Sequence, residues 1–132
     1  MVKAVRAKFP TSFGVFSPTG HIVIVFDNEA RAAEAAVALR SGGFSPEDIT
    51  QYSAAEVIAE SQRSMAEAAS PVQIGQEVAK VEEYRALAKD GCGFLIVHAP
   101  EDEKTKLAMS IVKPFHVRFA EKYNRLTLEE LA

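Results

Sequence analysis

The sequence lacks the features that mark several large classes of protein. It has one cysteine, Cys92, and no tryptophan. A lone cysteine forms neither an internal disulfide nor a zinc site built from several thiolates. No run approaches the roughly 18 apolar residues of a membrane span, and Lys3, Arg6 and Lys8 are not followed by the apolar stretch of a secretory signal. We therefore expect a cytoplasmic protein that does not contact a membrane.

The chain also lacks an excess of positive charge. Lys and Arg number 15 against 18 Asp and Glu, which gives a net charge of -3 and a pI near 5.6. The stretch "DGCGFLIV" partly matches an RNA-binding signature, but Asp90 replaces the expected cation, and Cys92 and Val97 replace aromatic residues that stack on bases. We expect no nucleic-acid partner, because neither a positive field nor a stacking surface is present.

No catalytic motif stands out. The sequence contains no GxSxG, GxxxxGK[ST] or GxGxxG pattern. Two pairs of glutamates, Glu56 with Glu60 and Glu82 with Glu83, have no ExxH companion, so they indicate solvated helix faces rather than a di-metal site. We assign no catalytic residue, metal or cofactor, and a protein without enzymatic activity is favoured although the sequence leaves this open.

What the sequence does have is hydrophobic periodicity suited to one domain. Of its 132 residues, 48% are apolar and 25% charged, a balance typical of an ordered globular protein. We interpret residues 1–19 as an N-terminal arm and 20–132 as a single domain. The periodicity predicts strands at 21–26, 48–53, 93–99 and 115–123, and helices at 28–41, 54–69, 74–90 and from Pro100 to before Pro114. Residues 125–131 fit either a strand or a helix.

This order of elements predicts an α+β fold. The elements follow the order βαβ, a pair of helices, then βαβ. The simplest architecture with this order is a ferredoxin-like sandwich with a helical insertion at about 54–90. Because 21–26 and 93–98 are the most continuously apolar short runs, we expect them to be adjacent central strands.

Three stretches carry a resemblance that spans most of the chain: "TSFGVFSPTGHIVIVF", "GFSPEDITQYS" and "KYNRLTLEEL". They resemble short uncharacterised bacterial proteins that are distantly similar to ferredoxin-like general stress protein domains. The resemblance implies a fold and a stress-associated or accessory role. It transfers no catalytic residue, because the shared stretches are turns and strands.

Both faces of the central strands are apolar, so both need covering. Helices 28–41 and after Pro100 cover one face, which leaves the other to the inserted helices or to a second subunit. We expect a homodimer, with Val23, Val25, Leu95 and Val97 in its interface.

Four residues are candidates for ligand binding. His21 and His98 lie at the start of one predicted strand and the end of its antiparallel neighbour, whereas His116 belongs at the opposite end. The two can converge on a shared proton-transfer or metal site, but two independent strand-end residues that hydrogen-bond to loops are the favoured interpretation, because histidine is commonly intermediate in burial. Arg118 and Lys122 lie on the polar side of a half-exposed strand, where they could bind a small anion. Cys92, flanked by glycines, is interpreted as a structural residue at a tight approach to strand 93–98.

The sequence leaves two classes of function open. The favoured one is a non-catalytic accessory or regulatory protein that acts by self-association or by contact with a protein partner. The alternative is a small-molecule-binding protein or enzyme with a pocket near His21 and His98. A cavity with converging histidines would favour the alternative, and a filled core with a broad flat interface would favour the first.

Overall fold

A computed structural model describes residues 20–60, 76–123 and 128–131. The described chain has an α+β fold. Its strands and helices, in chain order, are β1 (His21–Phe26), α1 (Glu29–Ser41), β2 (Ile49–Tyr52), α2 (Gln76–Lys89), β3 (Gly93–His98), α3 (Asp102–Val112), β4 (Val117–Tyr123) and β5 (Leu128–Glu130). Residues 54–60 are also helical, and short 3-10 helices occupy Pro46–Asp48 and Lys113–Phe115.

These bounds agree with the predicted elements within one or two residues wherever the two can be compared. The undecided segment 125–131 contains a strand, β5. The predicted N-terminal arm at 1–19 and the middle of the inserted helical pair, 61–75, lie outside the described residues. No helix in the described ranges is long and apolar enough to cross a bilayer.

Local signals explain where α1 begins and ends. The side chain of Asn28 accepts a hydrogen bond of 2.9 Å from the backbone N–H of Arg31, which satisfies one of the free donors of the first turn. At the other end, the N–H of Gly42 bonds to Ala38 and Leu39, and Gly43 has a φ of +110°. A positive φ is strained for most residues, so glycine ends this helix cleanly.

The sheet has five strands in the order β2-β3-β1-β4-β5, and every neighbouring pair is antiparallel. β1 and β3 are adjacent central strands, as the apolar runs predict. Their register pairs His21 with His98 and Phe26 with Gly93.

Helices cover both faces of this sheet within one chain. On one face, α1 and α3 pack against alternate residues of β1 and β3: Ile22, Ile24, Phe26, Leu95 and Val97. On the other face, α2 and the helical residues 54–60 contribute Tyr84, Ala88 and Val57 to a core with Val23, Val25, Phe94 and Ile96. The inserted helices therefore bury the second face.

The predicted dimer interface is wrong in its residues. Val23, Val25, Leu95 and Val97 are all 0% exposed within the single chain. They also belong to two different faces, because the antiparallel register sets Leu95 beside Ile24 and Val97 beside Ile22. Alternation along each strand sends these residues to opposite cores. A homodimer stays a prediction, but it would need a different surface.

β4 departs from the simple alternation that its sequence predicts. Its register with β1 shifts where Val25 pairs with Phe119 and Phe26 pairs with Val117, which leaves Arg118 as an extra residue. Such a bulge reverses the faces of the residues on either side. Val117 accordingly packs in the α1 and α3 core, whereas Phe119 packs in the α2 core.

α1 approaches the sheet closely at Gly93. A Cβ atom there would lie 2.6 Å from the backbone oxygen of Asn28 and 2.8 Å from the Cβ of Ala32. The start of α1 therefore rests directly on the first residue of β3. The expected tight approach beside Cys92 is thus explained by Gly93.

Substituting Gly93→Ala is expected to lower the free energy of unfolding by about 1 to 3 kcal/mol, the usual range for overpacking, because backbone atoms have to move. Urea unfolding measures the change. Ala33→Ser, an exposed neighbour of Ala32 on the same helix, should change stability by about 0.5 kcal/mol or less. Equal stabilities for the Gly93 variant and the wild type would contradict this packing.

Candidate functional site

A row of four polar residues crosses one end of the sheet. The register pairs His21 with His98 on one side and with Tyr123 on the other. The β2–β3 register pairs Ile49 with Val97, so Asp48 lies opposite His98 when that pairing is extended by one residue. Residues opposite one another in antiparallel strands have Cβ atoms roughly 5 Å apart. The row thus runs from Asp48, at the end of the 3-10 helix before β2, through His98 on β3 and His21 on β1 to Tyr123 on β4.

The two histidines are in contact, as their positions in the sequence predict. Their ring centroids are 4.7 Å apart and the rings are tilted by 38°. His116 lies at the opposite end of the sheet, where its backbone oxygen accepts a hydrogen bond from the N–H of Asp27. Of the three histidines in the chain, therefore, two share one site and the third is remote from it.

Asp48 is an acidic partner that sequence reasoning did not assign to the histidines. Its Oδ1 is 3.6 Å from Nδ1 of His98, and the side chains are 38% and 44% exposed respectively. An exposed pair of this kind adds little stability, about 0 to 1 kcal/mol. The separation is longer than a hydrogen bond, so Asp48 is a charged neighbour of the imidazole and not a bonded partner.

His21, Asp48 and His98 line a cavity of about 180 Å³. Its wall is formed by His21, Glu47, Asp48, Thr50, Tyr52, Ile96 and His98. Thr50, Tyr52 and Ile96 are nearly inaccessible to solvent and form the buried part of the wall, while the exposed residues come from the 3-10 helix and the strand ends. The volume is below the roughly 300 to 1,000 Å³ of drug-sized sites, so the cavity suits a molecule of a few heavy atoms.

Gly20 fixes the strand end that presents His21. Its φ of +86° is in the region that favours glycine, and a Cβ there would also lie 3.2 Å from the Cβ of Pro100. Its N–H donates to the backbone oxygen of Tyr123, and its own oxygen accepts from the N–H of Ala99. The entry to β1 is therefore held between the last residue of β4 and the residue that follows β3.

A buried polar cluster lies on the face of the sheet that α2 covers, which is also the face that carries the cavity. The hydroxyl of Tyr84, on α2, donates to Oε1 of Glu121 at 3.0 Å and lies 3.0 Å from the hydroxyl of Tyr123. Burial is the main cause that raises the pKa of Tyr84 well above its usual value, and the neighbouring Tyr123 and Glu121 raise it further. Burial likewise raises the pKa of Tyr123. Both phenols stay protonated and can act as donors throughout the physiological range.

Arg118 and Lys122 do not join the histidines. Arg118 is at the other end of β4, where it bonds to Asp27 at 3.4 Å and to Asp90 at 3.2 Å. Lys122 is only 2% exposed and points to the opposite face of the sheet. Its ammonium donates to the hydroxyl of Thr105 at 2.8 Å and to the backbone oxygen of Pro100 at 3.1 Å.

The expectation that Lys122 lies on an exposed polar face is therefore wrong. Lys122 lies on the side of β4 opposite to Phe119 and Tyr123, as predicted, but α3 covers that side, so the ammonium is inside the protein and bonds the start of α3 to the sheet. Lys122 comes four positions after Arg118, roughly 13 Å along a strand, so the two cations do not form one anion site.

Cys92 fits its interpretation as a structural residue. The side chain is buried in the core beneath α2. Burial raises the pKa of its thiol, and the opposing effect of Arg118 is smaller. A thiol held in its neutral form is a poor nucleophile.

Glu47, Asp48, Thr50 and Tyr52 are the lining residues that the sequence did not connect with the site. The segment that holds them was predicted as a turn followed by a strand. The residues with which this strand pairs were not predicted. Pairing of β2 with β3 is what brings Asp48 to His98. The register of β2 on β3 was the missing information.

Within the described residues, no group of three or more His, Cys, Asp or Glu side chains is arranged to hold a metal ion. Comparisons with protein-family models, with curated proteins and with solved structures found no match. The cavity and the two histidines in contact beside it are the chemical features on which a function can be based.

The two raised tyrosine pKa values predict a loss of stability at high pH. Above about pH 10 an unfolded chain loses phenolic protons that the folded chain retains, so the free energy of unfolding falls, by up to about 1.4 kcal/mol per pH unit for each tyrosine. Urea unfolding between pH 8 and 11 measures this slope. Tyr84→Phe should make the slope shallower, and parallel profiles for variant and wild type would contradict the assignment.

Proposed function

We propose that this chain is a small-molecule-binding protein whose ligand occupies the cavity between His21, His98 and Asp48. The contact between the two imidazoles at the edge of a cavity is the observation that carries the proposal. The side chain of His98 is 44% exposed, so the pair is open to solvent and is not packed in the core. Sites for small ligands characteristically combine an apolar wall with a few polar groups that converge on it.

The lining supplies that combination. Ile96 and the ring of Tyr52 provide apolar surface, Thr50 provides a hydroxyl, and the imidazoles and carboxylates provide donors and acceptors. Because the polar residues come from β1, β3 and the turn before β2, the sheet itself sets their separation. A site built on paired strands is held more rigidly than one built on loops.

We further infer that the fold is a ferredoxin-like sandwich with additions. The strand order β2-β3-β1-β4, antiparallel throughout, supports this arrangement, as do the two βαβ units formed around α1 and α3. The additions are the helices between β2 and β3 and the edge strand β5. The cavity lies where the turn before β2 meets the ends of the central strands.

Acid–base catalysis is a second candidate, favoured by the position of Asp48. A carboxylate beside Nδ1 leaves Nε2 of His98 to exchange a proton with a bound molecule. His21 would then be the second proton carrier, since its ring is in contact with that of His98. The ligand-binding proposal does not require this step.

A role as a stress-associated accessory protein that self-associates remains a separate proposal. An uncovered sheet face would have required a partner, but both faces are covered within the chain. Binding at the cavity therefore has the stronger support, and sedimentation at high micromolar concentration measures the oligomeric state independently.

The binding proposal predicts that a set of small polar fragments will perturb one region of the protein. In two-dimensional NMR, amide signals of residues 47–52 and 96–98 should shift on binding, and His98→Ala or His21→Ala should reduce the affinity about tenfold. The matched control is His116→Asn, at the other end of the sheet, because asparagine tolerates the positive φ of 63° at that position. Shifts that persist in both cavity variants, or no shifts with any fragment, would refute the site.

A further inference from the structure

The charges around the cavity indicate which class of ligand it accepts. Two carboxylates, Glu47 and Asp48, belong to its wall, and no Lys or Arg does among the described residues that line it. The cations of β4 are directed elsewhere. Lys122 is bonded to Thr105 on the other face of the sheet, and Arg118 is bonded to Asp27 and Asp90 at the far end.

One of the carboxylates is held in its charged form by a neighbour. The hydroxyl of Ser45 donates to Oε1 of Glu47 at 2.6 Å. This hydrogen bond is the main cause that lowers the pKa of Glu47. Glu47 therefore keeps its negative charge through neutral and mildly acidic pH.

The remaining walls also suit a cation that carries a short apolar chain. Tyr52 and the imidazoles present aromatic groups, which attract ammonium ions when the ion lies over a ring. Ile96, 8% exposed, provides aliphatic surface at the buried side of the cavity. A volume of about 180 Å³ restricts the ligand to a few heavy atoms.

We propose that the cavity selects a small organic cation, a protonated primary amine, over anions and neutral molecules of similar size, and that protonation of His21 and His98 releases it. This inference rests on the proposed binding function and names its ligand class. The amine nitrogen binds between the carboxylates of Glu47 and Asp48, and its alkyl group contacts Tyr52 and Ile96.

Release of the bound amine at lower pH follows from the position of the two histidines in the wall of the cavity. Imidazole side chains ordinarily gain a proton between pH 5 and 8, and an imidazolium in the wall repels a bound ammonium ion. Among the described residues, the titratable groups beside the pair are Asp48 and Glu47 from the turn before β2 and Tyr123 from β4. A change in affinity between pH 7.5 and 5.5 is therefore assigned by comparing the wild type with a variant that lacks both imidazoles.

Three probes of matched size test the selectivity: propylammonium, propionate and 1-propanol. Each is titrated into the full chain at pH 7.5 while the amide signals of residues 47–52 and 96–98 are followed by NMR. We expect propylammonium to bind at least tenfold more tightly than either of the others. Tighter binding of propionate, or equal binding of all three at the cavity, would overturn the inference while leaving the binding function intact. No perturbation by any probe would refute both.

Charge-removing variants identify the groups responsible. Glu47→Gln and Asp48→Asn should each weaken propylammonium about fivefold or more and leave 1-propanol unchanged. Glu103→Gln, an exposed carboxylate on α3, is the matched control and should have no effect. The same weakening in the control would show that only the net charge of the protein matters, which would overturn the assignment. NMR fingerprints establish that each variant is folded.

The proposed release on protonation is tested separately, by measuring the affinity for propylammonium at two pH values. Propylammonium affinity in the wild type should fall about tenfold between pH 7.5 and 5.5. In a variant carrying both His21→Gln and His98→Gln the affinity should be nearly constant over that range. A fall of equal size in this double variant would assign the effect to other groups and overturn the release mechanism.

Discussion

The antiparallel pairing of β1 with β3 places two six-residue strands side by side at the centre of the sheet. Both strands are apolar on both faces, so their pairing is stable only where both faces are removed from water. That constraint accounts for the helices on each side. α1 and α3 cover one face, and α2 with the helical residues 54–60 covers the other.

The candidate site arises where this apolar pairing ends. Going outward along β1 and β3, the last pair in the register is His21 with His98, beyond which Gly20 turns the chain away. The strand pairing sets the two backbones side by side, and the rings lie 4.7 Å apart at the edge of the core. The protein therefore has a pair of imidazoles beside an apolar wall, which is a frequent basis for binding and for proton transfer.

Charge is divided between the two ends and the two faces of the sheet. The histidine end has Glu47 and Asp48, whereas the far end has Arg118 between Asp27 and Asp90. Lys122 is enclosed beneath α3, where Thr105 and the oxygen of Pro100 satisfy its ammonium. Buried charges persist in proteins only when they are paired or hydrogen-bonded, so Lys122 is committed to structure.

The sequence by itself determined the elements and the core strands. Short β-branched runs such as "HIVIVF" have one stable conformation when buried, and caps such as Asn28 and Gly42 set helix ends through local bonds. It also placed His21 beside His98, since that follows from antiparallel neighbours. Only the tertiary structure decided that the inserted helices cover the second face, that α3 encloses Lys122, and that β2 brings Asp48 to His98. Those outcomes depend on which distant segments pack against one another, and the fold as a whole sets such contacts.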